Sequence, residues 1–254
     1  RRTINFLQKY PLNASNKDVA FLKAENLFFM NRVSEALRAY EQFIPFDGKG
    51  KYTDQARFRI IQGLCNQSKW EQSLEEISIL IKQDIDDKFY IQLGYLAGLS
   101  NYHLSKWKDS ITYLEGFTSK YPAELNADAA MLKCSLAYIK VNNAGKAIIT
   151  LSELISEYPK SEHIAHAHTE LGAQLYKEKQ YTEARKNLKK VTTLHPDSPY
   201  TPQAEYYLAW LSLAEKKNQD ALDHFSNVYR KSPDHFLAAD SLYQQAFQFM
   251  KQKA

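Results

Sequence analysis

From His163 to Glu178 the chain carries apolar or small residues at Ala167, Leu171, Gly172 and Leu175. Steps of three and four put these on one face of a helix. A polar break follows at Lys179-Gln180, and Tyr181 to Leu194 carries a second stripe at Ala184, Leu188 and Val191. His195-Pro196-Asp197-Ser198 closes it, because proline cannot continue a helix and turns its predecessor away from helical geometry. The pattern predicts two helices joined by a tight turn. Ser161 and Ser198 stand where caps for the next helix are expected, with Pro199 at a first-turn position.

The same pattern recurs along the chain. Small residues stand at Ala36, Ser73, Ser110, Ala147, Ala184 and Ala221, each 37 residues after the last. Four residues beyond each comes a large apolar one: Tyr40, Ile77, Leu114, Leu151, Leu188 and Phe225. Three further on come Phe43, Leu80, Phe117, Leu154, Val191 and Val228. Pro122, Pro159, Pro196 and Pro233 keep the same 37-residue beat, and Pro11 lies three periods before Pro122. Fixed self-similarity in this range signifies stacked supersecondary units. The small residue has a steric reading: it lets two antiparallel helices approach closely. Gly172, Gly98, Ser135, Ala209 and Ala24 suit the facing position. Ile61 breaks that series, so looser packing is expected in its repeat.

Leu171-Gly172, Leu175, Ala184, Leu188, Val191 and Pro196 fall in order on the consensus positions of the tetratricopeptide-repeat (TPR) family, which the chain resembles. The resemblance implies an all-α fold, a right-handed superhelical solenoid of antiparallel helix pairs. The turn phrases Tyr158-Pro159-Lys160-Ser161 with Ala167, and His195-Pro196-Asp197-Ser198 with Ala204, are similar to those of bacterial cell-envelope members. The BamD-type assembly lipoprotein and the Tol–Pal-associated coordinator are among these. The phase divides 1–254 as a single array. A partial repeat over 1–16 is followed by repeats at about 17–51, 52–86, 87–124, 125–161, 162–198 and 199–235, then a partial repeat over 236–254. Phe6 to Pro11 parallels Phe117 to Pro122, the end of a second helix, so both ends are expected to continue into a longer chain.

Composition narrows the function classes. The 254 residues are 44% hydrophobic and 24% charged, with only 8 glycines and 8 prolines, which leaves little material for a many-turned β fold. No apolar run approaches the roughly 20 residues of a spanning helix, so no direct membrane insertion is expected. A net charge of +4 from 33 basic and 29 acidic residues gives no argument for a nucleic-acid partner. Cys65 and Cys134 lie on different helices and are read as buried free thiols. His163, His166 and His168 form the densest histidine group. His168 is rotated away from His166, and no cysteine or carboxylate completes a set, so no metal, cofactor or catalytic residue is expected. The basic run from Lys177 to Lys190 is read as a solvated outer face.

The family's first helix lines a concave groove through a stripe distinct from its packing stripe. Mapped here, that stripe holds Phe21, Phe28, Phe58, Tyr95, Tyr102, Tyr176, Tyr206, Trp210, Tyr243 and Phe247. Large aromatics suit the capture of partner segments, since they supply contact area at small entropic cost. Three readings stand for these rings: groove binding, packing between repeats, and burial against a part of the protein outside this chain. Gln55, Gln62 and Asn66 are scattered polar exceptions, so the family's carboxylate clamp for C-terminal peptides is not expected. The resemblance implies a non-enzymatic scaffold for a protein or peptide segment, periplasmic or outer-membrane-associated. The alternatives are a cytoplasmic adaptor or sensor, or the targeting segment of a larger enzyme. On the groove reading, replacing Tyr206 and Trp210 together by alanine weakens partner binding while melting stays nearly unchanged.

Overall fold

The computed structural model describes residues 14–50, 52–83 and 85–253, and the sequence motif Phe6 to Pro11 lies outside them. Thirteen α-helices and no strand occur among the described residues. They are α1 (Ala14–Phe29), α2 (Val33–Asp47), α3 (Thr53–Asn66), α4 (Trp70–Leu80), α5 (Asp87–His103), α6 (Trp107–Lys120), α7 (Ala127–Lys140), α8 (Ala144–Glu157), α9 (Ile164–Lys177), α10 (Tyr181–Leu194), α11 (Thr201–Ala214), α12 (Asn218–Lys231) and α13 (Ala238–Lys253). The chain forms two compact units, Arg1–Lys133 and Cys134–Ala254, with the division inside α7.

In the first unit α1 packs on α2, α2 on α3, α3 on α4, α4 on α5 and α5 on α6, with α3 also meeting α5. In the second the order is α8, α9, α10, α11, α12, α13, each on the next, with α9 also meeting α11. Contacts thus join helices one or two places apart in the chain, the arrangement of a repeat fold.

The 37-residue series forms the seams. Ala36, Ser73, Ser110, Ala147, Ala184 and Ala221 are all fully buried. So are Tyr40, Leu114, Leu151, Leu188 and Phe225 four residues on. A Cβ on Gly172 would lie 2.5 Å from Leu188 Cγ, and one on Gly98 would lie 2.5 Å from Leu114 Cδ2. Both glycines are therefore close-approach points between the helices of one hairpin. The serines in the series have partners: Ser110 donates to the Gly98 carbonyl at 2.9 Å, and Ser73 lies 3.2 Å from the Ser100 hydroxyl. Ile61 is fully buried rather than loosely held, and the helix that follows it, α4, has only 11 residues against 14 in α6, α8, α10 and α12.

Each turn inside a hairpin uses the same backbone device. Asn31, Ser68, Ser105, Asn142, Lys179 and Lys216, again 37 apart, all have φ between 57° and 61°. The left-handed residue reverses the chain so that following amides reach back into the helix: Lys179 N–H bonds Tyr176 O and Gln180 N–H bonds Leu175 O. None of the six is glycine.

The turns between hairpins differ in detail from the sequence expectation. Ser161 Oγ accepts from His163 N–H and Ser198 Oγ from Tyr200 N–H, but the helices begin only at Ile164 and Thr201. The serines thus fix the turn ahead of the helix instead of capping its first turn. Pro202, not Pro199, occupies the opening helical positions of α11. The buried His168 is pinned in the same way by local chemistry. Asn187 gives its amide N–H to the Glu183 carbonyl, so its Oδ1 faces His168 Nδ1 at 2.8 Å and the imidazole must be the donor.

Candidate functional site

In the first unit, α1, α3, α4 and α5 bound a cleft of about 460 Å³. Phe28, Tyr95 and Leu99 give it an apolar floor, and Arg59, Gln62 and Asn66, at i, i+3 and i+7 on α3, give it a polar wall. Arg59 is held from three sides. It donates to both oxygens of Glu25 at 3.0 and 3.2 Å and to Gln62 Oε1 at 2.9 Å, while its guanidinium covers the Phe28 and Phe29 rings at 5.3 and 5.2 Å. Its charge is thereby matched inside the unit. Glu25 also accepts from the buried Tyr40 hydroxyl; burial first, and then this bond, push the phenol's pKa up.

Two further groups border this region. Trp70 stacks on His103 at 4.1 Å, and Lys133 lies over the Tyr102 ring at 4.8 Å. Burial lowers the pKa of both His103 and Lys133. Cys65 lines the cleft, but burial raises its thiol pKa and its sulfur bonds Ser73 and Ser100, so it is not poised as a nucleophile. Both cysteines are buried thiols outside any disulfide.

Two of the rings assigned to the groove stripe belong to the core. Phe21 is 4% exposed and stacks on Tyr52 at 4.4 Å. The cause is the turn before α3, where the buried Asp47 carboxylate accepts from Tyr52 N–H and the Thr53 hydroxyl and so lays Tyr52 over the phenyl ring. Phe58 is 7% exposed and packs on Phe89 at 5.1 Å. Burial takes both out of any surface a partner could touch. Phe28, Tyr95 and Tyr102 remain half-buried.

In the second unit Tyr176, Tyr206 and Trp210 are half-buried, while Tyr243 and Phe247 on α13 are exposed and stack at 6.3 Å. Tyr206 and Trp210 meet the buried Phe225 edge-on at 5.9 and 5.8 Å, and the Tyr206 hydroxyl donates to Asp240 Oδ2 at 2.6 Å. Burial, then that bond, push the Tyr206 pKa up to about 12. These rings hold α11 to α12 and α13. Their joint removal is therefore expected to lower melting as well, a contribution the sequence pattern did not anticipate.

Sequence reasoning passed over Arg59, Trp70 and Leu99, which share the cleft with Phe28 and Tyr95. It also passed over Glu170, Gln203 and Tyr207 in the second unit. A search confined to aromatic rings at one helical phase cannot find charged members one position away. The histidines do not converge: His168 is buried on Asn187, and His166 stacks on Tyr200 at 4.0 Å. Among the described residues no group of three or more His, Cys, Asp or Glu side chains is placed to hold a metal ion. No described helix is long and apolar enough to cross a membrane. Along the basic run Lys177, Lys179, Lys186 and Lys189 are exposed, and Arg185 pairs with Glu215 at 3.1 Å.

The tetratricopeptide-repeat family model matches residues 129–161 and 170–198. No curated protein matches the chain. Among solved structures, the C-terminal part of a TPR repeat-containing protein from Cytophaga hutchinsonii superposes with a TM-score of 0.70 at 13% identity, over 95% of this chain and 92% of that one. PilF of Pseudomonas aeruginosa superposes with a TM-score of 0.67 at 11% identity, over 90% and 97% of the two chains. YrrB, described as a TPR protein with an unusual peptide-binding site, gives 0.60 at 15% identity over 85% and 98%. At these identities the likeness carries the fold. The chain is all-α, with tetratricopeptide repeats matched over residues 129–161 and 170–198, and proteins built of such repeats generally mediate protein–protein interaction.

Proposed function

We propose that this chain is a non-enzymatic scaffold that holds a protein or peptide segment against its first helices, with the cleft of the first unit as one binding site. The cleft carries the reading. An apolar floor of Phe28, Tyr95 and Leu99 beside the side-chain amides of Gln62 and Asn66 suits a segment that buries one apolar side chain and hydrogen-bonds through its backbone. Gln62 spends its carbonyl on Arg59, and its amide N–H groups have no partner among the described residues. We further assign the scaffold to bacterial envelope assembly or cell-wall and outer-membrane coordination, in the periplasm or at the outer membrane. The Pro-x-Ser turn phrases at Pro159 and Pro196 support that assignment.

The test is site-specific photo-crosslinking in the native cell. A crosslinking residue at the exposed Asn66 captures a protein partner, while one at Glu153, exposed on α8, does not. Equal capture at both positions, or none at Asn66, refutes the cleft. Fractionation of the full-length protein checks the compartment, and recovery in the cytosol alone overturns the envelope assignment.

A further inference from the structure

In the second unit, α9 and α11 set one acidic side chain among aromatic rings. Glu170 follows His166 by four residues on α9, and Gln203 and Tyr207 stand at the matching positions on α11. The Glu170 side chain is only 16% exposed. One of its oxygens, Oε1, accepts from Gln203 Nε2 at 3.1 Å and lies 3.8 Å from His166 Nε2. The other, Oε2, makes no hydrogen bond among the described residues and is not sealed from solvent. No lysine or arginine among them comes within 4.0 Å of the carboxylate. Tyr207, half-buried, lies near enough to feel the carboxylate's charge, and its ring meets that of Tyr176 at 5.8 Å.

A carboxylate drawn out of water without a cationic partner is unfavourable, and burial accordingly raises the Glu170 pKa. Its charge in turn raises the phenol pKa of Tyr200 and Tyr207, after the larger effect of burial on each. Lys177 on α9 and Lys140 on α7 act on it only from a distance and leave the opposing burial dominant. The site thus holds no lysine or arginine of its own against the carboxylate. Tyrosine faces beside a carboxylate are the surroundings in which a guanidinium or ammonium gains both an ion pair and ring contact.

We infer that this face of the second unit is a seat for an arginine or lysine side chain of the bound partner, gripped by Glu170 beside Tyr207. The inference rests on the scaffold reading above and adds the chemistry of the segment. The partner's cation donates to Glu170 Oε2 while Gln203 holds Oε1 in place. His166, stacked on Tyr200, lies on the Oε1 side of the carboxylate, 3.8 Å away.

The experiment is selection of 12-residue peptides from a random display library on the full chain, then repeated on Glu170→Gln, Glu170→Asp and Glu170→Lys. Peptides taken by the wild-type chain are expected to be enriched in arginine or lysine at one position. Synthetic copies should bind Glu170→Gln at least about tenfold more weakly, since an ionised acceptor is lost. Glu170→Asp should recover part of that binding, and Glu170→Lys should select acidic residues instead. Circular dichroism of each variant reports whether the helices persist. Because the scaffold's interior contacts do not involve Oε2, a purely structural role for Glu170 would not reverse the charge of the selected residue. Wild-type binders without basic enrichment, or binders that Glu170→Gln holds within twofold, overturn the seat and leave the scaffold reading standing. Failure to select any peptide overturns both.

Discussion

Gly98 and Gly116 stand on the two helices of one hairpin and should respond to the same substitution with opposite sign. Gly98 lies in α5, where an added methyl would come 2.5 Å from Leu114 Cδ2, 2.6 Å from Cγ and 3.3 Å from the Leu114 backbone nitrogen. Leu114 is fully buried, so its side chain has nowhere to go, and the backbone atom belongs to the partner helix. Overpacking of this kind costs about 1–3 kcal/mol. Alanine recovers about 1 kcal/mol of helix propensity over glycine. The expected net effect of Gly98→Ala is a loss of about 1 kcal/mol. Gly116 lies within α6 with nothing within 4 Å of its virtual Cβ, so Gly116→Ala should gain up to about 1 kcal/mol from propensity alone. Urea titrations followed by circular dichroism at 222 nm read the difference as midpoints moving in opposite directions. An array need not unfold in one step, so the slopes must be shown to match before the midpoints are compared. Pairing Gly98→Ala with Leu114→Ala should cost less than the two separately, because the truncated leucine vacates the space the methyl needs. If Gly98→Ala stabilises as Gly116→Ala does, the close approach at the 37-residue seam is wrong.

Other consequences are simpler to state. Lys179→Gly should raise the melting temperature by relieving a left-handed residue, a gain of about 0.5–1 kcal/mol once glycine's greater unfolded-state freedom is deducted; a lower melting temperature refutes the turn geometry. Burial keeps His168 neutral, with a folded pKa below its ordinary 6.5, so the unfolded chain takes up this proton first as pH falls. Stability should decline as pH drops through 6.5 toward the folded value, and His168→Gln, which can still donate to Asn187, should flatten that slope in pH-dependent melts. Trp210→Ala should cost about 1–3 kcal/mol, less than for a fully enclosed tryptophan, by taking the edge contact from Phe225; an unchanged melt would return this ring to a pure binding role.

The seams were legible because they are repeated constraints. One small residue and two large ones every 37 positions left a periodic trace, and the helix Tyr181–Leu194 falls where the pattern places it. The left-handed turns repeat just as strictly, yet they were invisible, since Asn, Ser and Lys at these positions share a backbone angle and no side-chain property. The groove stripe was only partly readable. A helical phase says which way a ring points but not what the next segment lays over it, and the Asp47-bound turn that covers Phe21 is peculiar to one repeat. Glu170 escaped because its significance lies in what is missing around it. A sequence records which charges exist; it does not record which of them end up without a counterpart.

Within each unit the described helices pack chiefly on partners one or two places along the chain, so that injuries should stay where they fall. A defect at Leu188 should fray α9 and α10 in hydrogen exchange while α12 keeps its protection. By the same locality, excising one whole period between equivalent joints, such as Asn142 and Lys179, would bring together surfaces already shaped for each other. Such a chain can lose or gain length in evolution without re-solving the fold.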